Sequence, residues 1–281
     1  MRLQRSNALG ESSDSLIEDA AATLVRDGDT VALEGFSHLV PFAAAHALIR
    51  RRARGLTIVR MVPDIVTDQL IGAGCVARML FSWAGNPGVG SLHRFRDAVE
   101  HGWPTRLELD EHTHAGLAAR YQAGAAGLPF MPVHAYLGTD LTPHASHVRF
   151  VADPFTGRSS PVVEPVRPDV AIIHAQRADH AGNVQLWGVV GVQREAVLAS
   201  RRSLVTVEEI VPSLPTVPGA VILPAWTVTA VRLAPGGSAP SYSQGFSHRN
   251  EDFYLEWDRI SRERKSFQAW MAEQGLRADV D

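Results

Sequence analysis

Short apolar runs alternate along this chain with stretches whose apolar residues recur at helical spacing, and that alternation restricts the fold more than any other property. Leu16, Ile17, Ala20, Leu24 and Val25 mark a helix that Gly28 stops, and a strand over 30–33 follows. Pro41 suits the first turn of a second helix, which carries Phe42, Ala45, Leu48 and Ile49. Arg50, Arg51, Arg52 and Arg54 cap and solvate its end. The pattern then repeats: strands over 56–61 and 78–81, and helices over 65–72, 92–100 and 113–123. After residue 188 come a helix near 195–199 and strands at 203–207, 221–223 and 230–233. Strands separated by helices predict an α/β fold, a mainly parallel sheet with helices on both faces.

The 281 residues read as one domain, 1–281, with a flexible lead-in over 1–13. The segment 127–157, rich in proline and glycine, is the irregular excursion, and Val133 to Leu137 within it can pair in the sheet. Phe253, Trp257, Ile260, Phe267 and Met271 share one stripe of a C-terminal helix over about 250–273, suited to core or subunit packing. Hydrophobic residues make up 45% and charged residues 20%, with no apolar run long enough for a bilayer. A net charge of -3 argues against a general nucleic-acid footprint. Cys75 is the single cysteine, which excludes an intrachain disulfide framework and makes a cytoplasmic setting the default; no secretory signal follows Arg2 and Arg5.

Candidate chemistry gathers where strands end. Val170, Ala171, Ile172 and Ile173 suit a strand covered on both faces, and His174 and Gln176 fall where it would stop. Ligands of open α/β sheets gather at such carboxyl ends. Glu34, Gly35, Phe36, Ser37 and His38 close an earlier strand; glycine permits close backbone approach, and amides there can hold developing negative charge. Taken alone, the run reads equally as a tight turn. The loop 82–91 holds Gly85, Asn86, Gly88 and Gly90, without the lysine of a phosphate loop or dinucleotide glycine spacing, so no nucleotide cofactor is supported. Glu108, Asp110, Glu111, His112 and His114 crowd acids and imidazoles together. His112 and His114 would lie on different faces of a helix and spacing identifies no third ligand, so no metal is expected; Glu111 is a candidate acid or base. Glu208 and Glu209 follow a strand ending at Val207, diverge in direction and suit structural ion pairs.

These segments together resemble the larger, A-type subunit of the class I coenzyme A transferases, in the 3-oxoadipate and glutaconate group. The carriers are GDTVALEGFSHLVP (28–41), LIGAGC (70–75), FSWAGNPGVGSLHRFRDAVEHGWP (81–104) and LELDEHTHAG (107–116). Later come AGAAGLPF (123–130), PFTG (154–157), DVAIIHAQRADHAGNVQLWG (169–188), RRSLVTVEEIV (201–211) and APGGSAPSYSQGF (234–246). The resemblance implies an obligate B-type subunit, an A2B2 or larger complex, and no tightly bound cofactor, with a coenzyme A thioester as substrate. It implies a ping-pong transfer from a donor such as succinyl-CoA to a short dicarboxylic or 3-oxo acid, 3-oxoadipate above all. The nucleophilic glutamate then belongs to the B-type subunit, with none on this chain. Gly35, Phe36 and Ser37, with Asn86 and Gly88, carry over as lining of the cleft. A related subgroup opens a ring in a steroid-derived CoA thioester, which would make Glu111 a base; a non-enzymatic binding or scaffold subunit is the third alternative.

Overall fold

The computed structural model describes residues 13–276; the lead-in 1–13 lies almost wholly outside them. The first half contains α1 (Ser13–Leu24), β1 (Thr30–Glu34), α2 (Phe42–Arg50), β2 (Leu56–Val59), α3 (Ile65–Gly72), β3 (Val76–Phe81), α4 (His93–Glu100), β4 (Glu108–Glu111), α5 (His114–Ala125) and β5 (Met131–Pro132). The second contains β6 (Val148–Ala152), β7 (Ser159–Val163), β8 (Val170–Asp179), β9 (Val184–Leu186), α6 (Gln193–Ala199), β10 (Arg202–Val211), β11 (Val221–Leu223), β12 (Ala230–Leu233), α7 (Glu251–Arg262) and α8 (Arg264–Glu273).

Seven strands run parallel in the order β12-β10-β8-β1-β2-β3-β4. Side chains alternate between faces along each strand, and the central strands are apolar on both. Val31, Leu33, Ile58, Met79, Val170 and Ile172 pack with α1, α2, α3, α4, α7 and α8. Ala32, Val59, Leu80, Ala171, Ile173 and Val205 pack with α5 and α6 on the other face. This is the α/β architecture expected from the alternation, and no helix among the described residues is long and apolar enough to cross a membrane.

Three departures have local causes. β8 does not stop at His174; it continues beside β10 to Asp179, and antiparallel β9 and β11 extend its far half. Residues 127–163 do not join the main sheet: β5, β7 and β6 form a separate three-stranded antiparallel sheet, and His134–Tyr136 within it is a turn of 3-10 helix. Its small core is Ala119, Tyr136, Ala145, Val148 and Val163. The C-terminal stripe is two helices, because Glu263 takes extended angles, φ -107° and ψ 138°, between α7 and α8. Trp257, Phe267 and Met271 are buried on both sides of that break, and Trp257 and Phe267 meet edge to face.

Candidate active site

The carboxyl ends of β1, β2, β3 and β4 lie along one edge of the sheet, and β8 and β10 run past β1 on the other side. Glu34 pairs with Ile173, so His174 begins the part of β8 that overreaches β1. The chain crosses this edge in the turn 35–40. Gly35 is required there, because a Cβ would lie 2.5 Å from the Leu39 carbonyl oxygen, a backbone atom with no room to yield. Ser37 (φ 55°) and Leu39 (φ 52°) are left-handed non-glycine residues, a conformation that persists only when its surroundings over-determine it.

Two buried groups supply that determination. Arg60, with no exposed surface, donates to the carbonyls of Leu33 (2.6 Å), Gly35 (2.9 Å) and Val62 (3.1 Å) and to the Asp64 carboxylate (2.9 Å). His38, equally buried, donates from Nδ1 to the Val189 carbonyl (3.1 Å) and accepts the Gln244 amide at Nε2 (3.0 Å), with Tyr242 against its ring at 4.6 Å. The Gln244 N–H fixes the neutral tautomer, and burial lowers the imidazole's pKa in the same direction. Ser241 donates to the Ser37 carbonyl (2.9 Å), so the segment 241–244 backs the turn. Beneath it the Glu34 carboxyl accepts from the Met61 amide and from the Tyr121 hydroxyl, both at 2.9 Å. Burial pushes its pKa up to about 7, against the opposing pull of Arg60 and those hydrogen bonds.

What the turn presents outward is Phe36, 40% exposed, edge-on to His114 at the start of α5. The loop 82–91 presents Trp83, 45% exposed, and the open backbone of Gly88. Asn86 sits differently from its expected ligand-lining position: it is 1% exposed, and its carboxamide donates inward to the Tyr254 carbonyl (2.8 Å) while its backbone closes the loop on Gly90. It shapes the loop that Gly88 displays.

On β8 and β10, His174, Gln176 and Glu208 are likewise interior, a correction to their expected place at strand ends, while Glu209 stays half-exposed. His174 bridges Thr206 Oγ1 (2.8 Å) and Glu208 Oε1 (3.0 Å), and the other oxygen of Glu208 accepts the Gly236 amide (2.6 Å). Gln176 spends both ends of its amide on the backbone of Trp187. Glu209 pairs with Arg177, whose guanidinium lies 5.1 Å from the Trp187 ring. These are braces, each held by a named partner.

At the far end of the edge, Glu111 is exposed, level with Phe81, and His114 is exposed on α5. Asp110 and His112 turn the other way and meet His147, which sequence spacing could not supply because it lies in the excursion before β6. Arg60 was legible only as a lone charge closing an apolar strand. Concavities of about 350 Å³, against Arg94, Asp97 and Arg264, and about 660 Å³, against Ala20, Trp226 and Arg232, share no residue with this edge. The edge therefore offers an aromatic rim, a braced turn and exposed backbone, while Glu34 and Glu208 are buried and hydrogen-bonded.

The coenzyme A transferase family model matches residues 15–234. The chain belongs to that family. It is 55% identical to the A-type subunit of 3-oxoadipate CoA-transferase from Pseudomonas knackmussii, over 92% of this chain and 91% of that one. It superposes on glutaconate CoA-transferase of Acidaminococcus fermentans with a TM-score of 0.85 at 29% identity, covering 94% of this chain and 89% of the other. It is also 30% identical to the cholesterol ring-cleaving hydrolase IpdA subunit of Mycobacterium tuberculosis, over 81% and 82% of the two chains. As a CoA-transferase of the A type, the protein carries the braced turn and its neighbouring loops along one edge of the family's sheet.

Proposed function

We propose that this chain is the A-type subunit of a cytoplasmic 3-oxoadipate CoA-transferase, active in an A2B2 or larger complex with a B-type partner. The 55% identity to the A-type subunit of a 3-oxoadipate CoA-transferase, along nearly the whole of both chains, carries the reading. The catalytic cycle is the one that membership of this family implies. A glutamate carboxylate of the B-type partner attacks the carbonyl of succinyl-CoA and expels the CoA thiolate, leaving an acyl-glutamyl anhydride. The thiolate attacks the glutamyl carbonyl of that anhydride and releases succinate, giving a glutamyl-CoA thioester. 3-Oxoadipate then attacks it, and the same two steps in reverse deliver 3-oxoadipyl-CoA and regenerate the carboxylate.

Each attack passes through a tetrahedral oxyanion, which oriented amides stabilise in a site that excludes water. The turn Gly35, Phe36 and Ser37 supplies such backbone, fixed in place by Arg60 and His38 before substrate arrives. Gly88 adds exposed backbone from the neighbouring loop, which Asn86 holds, and Phe36 and Trp83 shield the acyl chain from water. The burial of Glu34 and Glu208 supports a nucleophile from the partner. Succinyl-CoA and 3-oxoadipate supplied to the co-expressed A/B complex should yield 3-oxoadipyl-CoA. Absence of exchange, with hydrolysis of a ring-bearing CoA ester that depends on Glu111, would replace this reading.

A further inference from the structure

Behind the exposed end of β4, Asp110 and His112 meet His147, which arrives from the excursion before β6. Asp110 Oδ1 lies 3.5 Å from His112 Nε2 and 3.3 Å from His147 Nδ1, and all three donor atoms fall within 4.8 Å of one another. Tyr136 Oη lies 3.1 Å from His112 Nδ1 and 3.0 Å from His147 Nε2. One hydroxyl thus meets the far nitrogen of both rings and leaves the near nitrogens turned toward the carboxylate. That is the arrangement by which an outer hydrogen bond orients a ligating imidazole. His147 is 3% exposed, and its Nδ1, aimed into the cluster, has no hydrogen-bond partner of acceptable geometry.

We propose that Asp110, His112 and His147 form a binding site for a zinc-type divalent cation, with Tyr136 orienting both imidazoles and Arg120 setting the affinity. Two imidazoles and one carboxylate match zinc and its neighbours, whereas calcium and magnesium favour oxygen donors throughout. The other Asp110 oxygen is held by Arg78 (3.0 Å), whose side chain is 44% exposed, so an ion reaches the site from solvent past that residue.

Arg120 is the competing cation. Its Nη1 sits 3.2 Å from His112 Nε2, while its other nitrogens hold the carbonyl and carboxylate of Glu164. Without metal, the same atoms form a directed chain: Arg120 donates to His112, His112 to Tyr136, and Tyr136 to His147, whose remaining N–H faces Asp110. A metal must displace Nη1 from His112, so removing the guanidinium must tighten binding. Occupancy would clamp β4, next to Glu111, onto the small antiparallel sheet. None of this depends on which acyl group the enzyme transfers.

The test uses the full chain, freed of metal with EDTA and titrated with cobalt(II) and with zinc. One equivalent of cobalt should give visible d–d absorption characteristic of low coordination number, and zinc should be retained at one per chain after gel filtration. His147→Gln and Asp110→Asn should each weaken binding at least about tenfold, Tyr136→Phe by about tenfold, and Arg120→Gln should strengthen it. A wild-type chain that gives no cobalt spectrum and retains no zinc overturns the proposal, leaving a hydrogen-bonded brace. So does unchanged affinity in a folded His147→Gln chain, which would place the metal elsewhere. If circular dichroism shows that His147→Gln does not fold, Arg120→Gln decides: affinity no higher than wild type refutes the site.

Discussion

Replacing Glu34 by glutamine tests the electrostatics beneath the turn. The carboxyl accepts from Met61 N–H and the Tyr121 hydroxyl, and burial raises its pKa from 4.5 to about 7. A carboxyl whose folded pKa is raised contributes stability that is fully present below its unfolded pKa. That stability is lost as pH rises through the folded value. At about 1.4 kcal/mol per pH unit the total is about 3 kcal/mol, most of which falls between pH 5 and 8. Glu34→Gln keeps an oxygen for both donors and removes the ionisation. Urea unfolding of wild type and variant at pH 5, 6, 7 and 8 should therefore give curves that diverge: wild-type stability should fall by about 2 to 3 kcal/mol more across that range. Asp68, which burial raises to about 6, is present in both proteins and cancels in the comparison. Parallel curves would refute the reasoning, whatever their vertical offset.

Gly35→Ala places a Cβ against the Leu39 carbonyl at 2.5 Å, so turnover of the A/B complex should fall at least about a hundredfold, the scale of losing one oxyanion donor; equal loss of folded protein, read by circular dichroism, would reduce the turn to a structural element. Phe36→Ala should leave thermal stability within about 0.5 kcal/mol because the ring is half exposed, yet lower kcat/KM about tenfold. His174→Ala strands Glu208 and Thr206 inside the protein and should cost about 3 kcal/mol in urea unfolding. Glu111→Gln should leave CoA transfer within about twofold of wild type, and a collapse of the rate would favour the hydrolase chemistry.

The parallel sheet was legible because Val31 to Leu33, Val170 to Ile173, and Leu56, Ile58 and Val59 put apolar side chains on both faces, which few other environments satisfy. The length of β8 was not, because His174 and Gln176 interrupt the apolar run. They are buried only because Thr206, Glu208 and Trp187, distant in sequence, meet their polar atoms. The break at Glu263 was hidden by a stripe that keeps helical spacing across it, with Phe267 returning to the ring of Trp257. The turn 34–38 was visible as a candidate, but its rigidity depends on Arg60 and on the segment 241–244, whose approach no local pattern announces. Asn86 looked like a ligand contact because asparagine in a glycine-rich loop suits one; the α7 carbonyl that claims it lies 168 residues away. His147 completed a cluster for the same reason, through a fold that only the excursion's own small sheet creates.

Trapping the covalent intermediate tests most directly whether this chain builds the cleft while its partner supplies the nucleophile. The A/B complex would be incubated with succinyl-CoA and no acceptor, and the two polypeptides separated and weighed intact by mass spectrometry. A mass increase equal to one CoA less one water, confined to the B-type partner and absent from this chain, is the predicted result. The same adduct on this chain would contradict the account.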